Sequence, residues 1–326
     1  IRGRRGEQRA CPFVRQDLEA FTSRLPFSLT PAQLRSVKEA AADLRRAVPM
    51  NRLLQGDVGS GKTVVAAACA YFAWQNGCQA ALMAPTELLA QQHQRTMETL
   101  LAGTGLRVGL LVGSMTAAQK RDCRAALAAG ALDLIVGTHA LLSEGVSFRR
   151  LGLVITDEQH RFGVDQRAAL AAKSGEKDRP HVLVMSATPI PRTLALMIYG
   201  DLDLSVIDQL PPGRTPVATY LIREDKRARL YAFVRKQVAQ GRQVYIVCPA
   251  VDQEDPEGLK AAEQYGRQLQ EEVFPDLRVG IVHGKQKARD KQGVMAAFAA
   301  GEVDVLVSTT VIEVGVDVPN ASLMVV

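Results

Sequence analysis

The chain has 326 residues, 47% of them hydrophobic, which is more than one ordinary core holds and fits two domains. A net charge of +6 favours a polyanionic partner, and Arg2, Arg4, Arg5 and Arg9 crowd the first ten residues. The five scattered cysteines form no C-x-x-C pair, so neither a zinc site nor a disulfide framework is indicated and a reducing cytosol is the natural setting. The longest apolar run, Val64 to Trp74, falls short of the roughly eighteen residues of a membrane span. No signal peptide is visible, and a start at Ile1 with an end inside Leu323-Met-Val-Val326 suggests a piece of a larger protein.

In chain order, Thr30-Pro31-Ala32-Gln33 opens a helix: a Thr N-cap, Pro at the first helical position and Gln at the third make a capping box. A Gln upstream of a phosphate loop can also read an adenine edge, and the two roles compete for one side chain. From residue 50 short apolar runs alternate with helical patterns, the rhythm of a parallel α/β sheet. Strands are expected at 52–55, 80–84, 108–112, 132–136, 151–156 and 182–186, with helices at 62–76 and 87–101. Gln209-Leu-Pro-Pro-Gly-Arg-Thr-Pro216 can continue neither helix nor central strand and reads as a linker. The rhythm restarts with strands at 218–222, 244–247, 279–282 and 305–308 and helices at 225–240, 259–272 and 287–300.

Gly56-Asp57-Val58-Gly59-Ser60-Gly61-Lys62-Thr63 has the spacing of a phosphate-binding loop. Its glycines let backbone N–H groups turn toward phosphates, and the following helix adds a favourable N-terminal dipole. Lys62 would reach the β and γ phosphates of ATP, and the Thr63 hydroxyl would bind Mg²⁺. About a hundred residues on, Asp157 and Glu158 close a five-residue apolar run. Adjacent carboxylates at the end of a buried strand are costly unless one binds a cation and the other takes a proton. Asp157 would hold the metal and Glu158 would deprotonate the attacking water. Ser186 and Thr188, at another strand end, could relay the state of the γ-phosphate or form a simple turn before Pro189. The string from Ser308 to Pro319 places hydroxyls, Gly315 and Asp317 just past an apolar strand, a loop with caps or a surface for nucleotide or nucleic acid.

With these residues in view, the chain resembles the superfamily 2 helicases, most closely their bacterial branched-DNA branch. The strings that carry the resemblance are GDVGSGKT (56–63), APTELLAQQH (84–93), VGTHALL (136–142), ITDEQHRFGVDQR (155–167), SATPIPRTLAL (186–196), PPGRTP (211–216), VHGK (282–285) and STTVIEVGVDVPNAS (308–322). The fold this implies is α/β: two tandem RecA-like P-loop domains with parallel sheets, the second incomplete. The implied organisation is a basic segment over 1–24 trailing from an upstream wedge domain, a first lobe over 25–208, a linker over 209–216 and a second lobe over 217–326.

The resemblance also implies residue roles. Gln33 is the adenine-reading glutamine, and residues 56–63 with Asp157 and Glu158 hold ATP and Mg²⁺. Gln159 and His160 couple hydrolysis to movement, as do Ser186, Thr188 and Arg192. Thr86, Gly137, Thr138 and Thr309 contact the DNA backbone, and Gly315 and Asp317 border the nucleotide from the second lobe. The implied activity is ATP-dependent translocation on double-stranded DNA that remodels forks and four-way junctions in recombination and repair. The implied partners are branched and double-stranded DNA and single-stranded-DNA-binding protein, with no membrane, in a bacterial cytoplasm. Aromatic residues are only 5% of the chain, which argues against base-stacking platforms.

Alternatives are a transcription-repair coupling translocase, which shares the GDVG loop, RFGV and TPIPRTL, and a non-catalytic nucleic-acid-binding module. The family's γ-phosphate arginine motif falls beyond Val326, and losing such an arginine costs roughly three to five orders of magnitude in rate. Residues 1–326 alone are therefore expected to hydrolyse ATP poorly.

Overall fold

The computed structural model describes residues 9–157, 170, 173, 179–187, 202–209, 217–248, 264–283, 286, 288–309, 318 and 320–326. Two compact units divide the chain, Ile1–Thr215 and Pro216–Val326. The first contains a parallel sheet of seven strands: β1 (Asn51–Gly56), β2 (Gln79–Met83), β3 (Val108–Leu111), β4 (Leu134–Gly137), β5 (Leu151–Thr156), β6 (His181–Ser186) and β7 (Asp203–Ile207). Their order across the sheet is β3-β4-β2-β5-β6-β1-β7. Because all neighbours run parallel, every carboxyl end lies on one side.

The apolar runs become interior strands for a simple reason. β2, β4 and β5 are buried at every position, as strands covered on both faces must be. β7 was not expected from the sequence. It sits at the sheet edge with an exposed–buried alternation over Asp-Leu-Ser-Val-Ile, so its apolar signal is half that of its neighbours. Helices α1 (Leu18–Thr22), α2 (Pro31–Leu44), α3 (Lys62–Gln75), α4 (Glu87–Leu100) and α5 (Ala117–Ala128) complete the unit. Residues Val64 to Ala73 of α3 are all buried, which explains the longest apolar run as a core helix. Among the described residues no helix is long and apolar enough to cross a membrane.

Residues 9–24, read as part of a trailing basic stretch, are built into this unit. Phe13 and Phe21 are fully buried in its core. The Asn76 side chain accepts from Arg15 N at 3.1 Å and donates to Arg15 O at 2.8 Å, while Gln75 Oε1 accepts from Asp17 N at 3.0 Å. On β1, the buried Arg52 pairs with Asp43 of α2 at 2.6 Å and donates to Ser205 of β7 at 2.7 Å, pinning helix and edge strand to β1.

The second unit holds a parallel sheet of β8 (Gln243–Cys248), β9 (Val279–Val282), β10 (Val305–Thr309) and β11 (Ala321–Val325), ordered β11-β8-β10-β9. Helices α6 (Arg227–Ala239) and α7 (Ala288–Ala299) flank it, and a π-helical turn spans Leu269–Val273 at the end of the helix expected at 259–272. The strand expected at 218–222 is corrected. Residues 217–222 carry no strand and expose Val217, Tyr220 and Leu221, since an apolar alternation becomes a strand only where a ladder partner takes its backbone groups. All five cysteines are free thiols.

Candidate nucleotide site and nucleic-acid track

The phosphate-loop motif leaves the carboxyl end of β1 and enters α3, with Lys62 as the first helical residue. Gly61 caps that helix at φ 89°, a left-handed conformation that side chains resist. A Cβ there would also fall 2.1 Å from Gln33 Nε2, so the backbone demands glycine and a side chain would displace the Gln33 amide. The Asp57 carboxylate accepts from Val58 N at 2.8 Å, which shapes the exposed front of the loop. Lys62 Nζ donates to the carbonyls of Gly56 at 2.8 Å and Asp57 at 3.0 Å, folding its ammonium into the loop. Thr63 follows on the first turn of α3.

Gln33 serves two structural partners at once. Its Oε1 accepts from Thr30 N at 2.9 Å while Thr30 Oγ1 accepts from Gln33 N, which completes the capping box. Its Nε2 donates to Ser60 O at 2.8 Å. The helix cap and the phosphate loop are thus joined through one buried amide.

Asp157 follows β5, and its backbone N donates to Met83 O on neighbouring β2 at 3.0 Å. Its carboxylate is largely buried and accepts from His93 Nε2 of α4 at 2.6 Å. In the sheet order β5-β6-β1, Asp157 stands two strands from the phosphate loop, about 10 Å at the usual strand spacing. Ser186, buried at the end of β6, lies between them and pairs in register with Gln55. Loop, carboxylate and Ser186 are therefore gathered at one end of one sheet, where ligands of open α/β sheets sit.

The residues expected along a nucleic-acid track are placed less simply. Thr86 Oγ1 accepts from Leu89 N and caps α4. Thr138 is buried, and its hydroxyl is among the described buried atoms that lack a hydrogen-bond partner. Gly137 admits no side chain, since a Cβ would meet Leu111 O at 2.4 Å. Any contact made there belongs to the backbone. Thr309 ends β10 in the second unit. Glu158, Gln159, His160, Thr188, Arg192, Gly315 and Asp317 lie outside the described residues.

His93 was missed. Its partner is 64 positions away, so no local spacing could pair them, and the only signal was its place at the end of the APTELLAQQH string. The thiol of Cys69, within the site's helix α3, needs no chemical role: complete burial pushes its pKa up to about 12.

Residues 30–197 match the DEAD/DEAH box helicase family, and residues 225–326 match the helicase conserved C-terminal domain. The chain belongs to the DEAD/DEAH box helicase family. It is 52% identical over 309 residues to the ATP-dependent DNA helicase RecG of Synechocystis, covering 95% of this chain and 37% of that protein. To RecG of Escherichia coli K12 it is 51% identical over 304 residues, covering 93% of this chain and 44% of that protein. Among solved structures, RecG bound to a three-way DNA junction superposes with a TM-score of 0.84 at 43% identity, covering 99% of this chain and 42% of that one. A more distant member, Mss116p bound to single-stranded RNA and AMP-PNP, shares the fold at a TM-score of 0.66 and 19% identity. The chain thus spans roughly two-fifths of the length of the RecG proteins it matches.

In this helicase family the residues present suit a nucleotide. The cradle around Gly61 admits no side chain, the Lys62 ammonium is held within the loop, and the buried Ser60 hydroxyl lacks a hydrogen-bond partner among the described residues. The Thr63 hydroxyl and the Asp157 carboxylate are hard oxygen donors, the ligand type that a magnesium ion takes.

Proposed function

We propose that the protein carrying this chain is an ATP-driven motor that translocates on double-stranded DNA and remodels forks and four-way junctions. The observation that supports it best is the match along nearly the whole chain to RecG captured on a three-way junction, together with the phosphate loop and Asp157 at one sheet end.

In this reading Lys62 exchanges the Gly56 and Asp57 carbonyls for the β and γ phosphates of ATP, and loop N–H groups complete the cradle. Thr63 and Asp157 would hold Mg²⁺, which when bound neutralises phosphate charge. Glu158 takes the proton of the attacking water. Gln159, His160, Ser186, Thr188 and Arg192 report hydrolysis to the rest of the motor, and Gly315 with Asp317 borders the nucleotide. Gln33 would turn its Nε2 from Ser60 to an adenine edge while its Oε1 keeps the cap, which reconciles its two roles. Thr86, Gly137, Thr138 and Thr309 would meet the phosphodiester backbone through main-chain groups, so binding carries no base information. The setting is the bacterial cytoplasm at the nucleoid, with single-stranded-DNA-binding protein as a partner to test by co-precipitation.

The test is ATPase activity of the full-length protein with no DNA, single-stranded, duplex and forked DNA. Forked DNA should raise the rate at least about tenfold above single strands, and Lys62→Ala should lose more than about 99% of it. Undiminished turnover in Lys62→Ala, or no preference for branched DNA, would overturn the proposal.

A further inference from the structure

The residue that the expected site did not include is His93. It lies on α4, seven positions after Thr86, and its Nε2 reaches Asp157 Oδ2 at 2.6 Å. Both side chains are nearly enclosed, at 11% and 13% exposure, so water does not screen the contact. Because a carboxylate can only accept, Nε2 is the donor. A bond this short to a buried carboxylate fixes the rotamer of Asp157, and with Oδ2 held the direction of Oδ1 is set.

The same helix begins at Thr86. Seven residues at 1.5 Å rise place its first turn about 10 Å from His93 along the axis. The first turn packs rigidly: Thr86 Oγ1 caps Leu89 N, and Glu87 Oε1 accepts from Ser114 N at 3.0 Å. Beyond it Leu89, Ala90 and Met97 are buried in the core, so α4 shifts as a body rather than bending. A displacement at its N-terminus therefore reaches the Asp157 carboxylate with one side chain between.

We infer that His93 is a positioning residue: it aims the metal-holding carboxylate of Asp157 and ties it to α4, so that DNA backbone bound at the N-terminus of that helix tightens the metal site. This rests on the proposed reading of Asp157 as metal holder and of Thr86 as part of the DNA track. It is a different assignment, because His93 acts through Asp157. A bond that merely stabilised the fold would, when removed, lower the melting temperature but leave metal affinity unchanged. A partner that orients a metal-holding carboxylate is worth about 10–100-fold in metal affinity.

The test uses full-length protein loaded with ADP, with Mn²⁺ as a paramagnetic probe read by electron paramagnetic resonance, with and without forked DNA. His93→Leu should weaken Mn²⁺ binding about tenfold and abolish its tightening by DNA, while ADP affinity in EDTA stays at the wild-type value. His93→Gln, whose amide can donate from a similar reach, should restore Mn²⁺ affinity to within about threefold. Wild-type Mn²⁺ affinity in His93→Leu would overturn the inference. So would a loss in His93→Gln as large as in His93→Leu, including the case where His93→Leu also loses ADP in EDTA. Asp157→Asn separates the two readings: if it leaves Mn²⁺ affinity unchanged, the metal assignment of Asp157 fails irrespective of His93.

Discussion

Half of the first unit recurs in the second. The order β3-β4-β2-β5 matches β9-β10-β8-β11 strand for strand. The match extends to side chains. Arg107 donates through Nε to Asp133 Oδ2 at 2.9 Å and through Nη2 to Gly130 O at 2.8 Å, and Arg278 does the same to Asp304 at 3.0 Å and Gly301 O at 2.8 Å. Gln79 Nε2 donates to Leu127 O and Leu132 O, and Gln243 Nε2 donates to Phe298 O and Val303 O. These two clasps join the amino ends of the strands to the helix that precedes the third of them. In the first unit they lie at the opposite end of the sheet from the phosphate loop.

What the second unit does not repeat, among the described residues, is β6-β1-β7 with the loop and α3. The comparison separates scaffold from chemistry. The repeated half holds its shape through Arg–carboxylate forks and glutamines that satisfy strand-end carbonyls. The unrepeated half brings the phosphate loop beside β6, two strands from Asp157. His93 belongs to α4, between the repeated strands β2 and β3, and Asp157 follows the repeated strand β5, so their contact lies within the repeated half.

The sharpest way to break this comparison is to damage the unrepeated half alone. Phe13→Ala removes a fully buried ring over that half and should cost about 3–5 kcal/mol, read as lost hydrogen-exchange protection in β1 and β6, with β8–β11 as internal reference. A smaller effect is expected at Gly137→Ala, where the new methyl meets Leu111 O and should cost about 1–3 kcal/mol in denaturant titrations. If the clasps are equivalent, Asp133→Ala and Asp304→Ala should each lose about 1–2 kcal/mol in their own unit. A large loss in one and none in the other would show that only one is scaffold.

The smallest effect is acid-dependent and confined to the first unit. Met50 N donates to His181 Nδ1 at 2.9 Å and His181 Nε2 donates to Cys11 O at 2.8 Å, so the ring is held neutral. Burial pushes its pKa below the usual 6.5, so as pH falls the unfolded chain binds the proton first. The contribution is fully present above about pH 6.5 and declines below it. Thermal melts at pH 7.5 and pH 5.5 should show this decline in wild type and a shallower one in His181→Asn.

The sequence made the sheet strands legible where an apolar run is continuous. The expected 151–156 and 279–282 coincide with β5 and β9, because a continuous apolar run between polar ends has few alternatives. It was silent where the deciding partner is remote. β7 is recognisable only beside β1, Arg52 only with Asp43 and Ser205, and His93 only with Asp157. Of the site, the phosphate loop was readable because its function needs contiguous residues, and Asp157 because burial makes a strand-end carboxylate conspicuous. Gln33 was read as a helix cap or an adenine reader; its Oε1 makes the cap, and its Nε2 donates to Ser60 O, a partner that local spacing did not reveal.

The stretch from residue 9 to residue 24 sets a practical boundary. Arg15 and Asp17 grip the far end of α3, the helix whose near end carries Lys62, and Phe21 packs its ring against Tyr71 of that helix while Phe13 packs against His181 of β6. A shortened protein starting at residue 25 would lose both rings and release the back of the phosphate-binding helix. Anyone trimming the molecule for crystals or inhibitor screening should cut before residue 9, and a protease that clips between 9 and 24 should silence the nucleotide pocket without touching it.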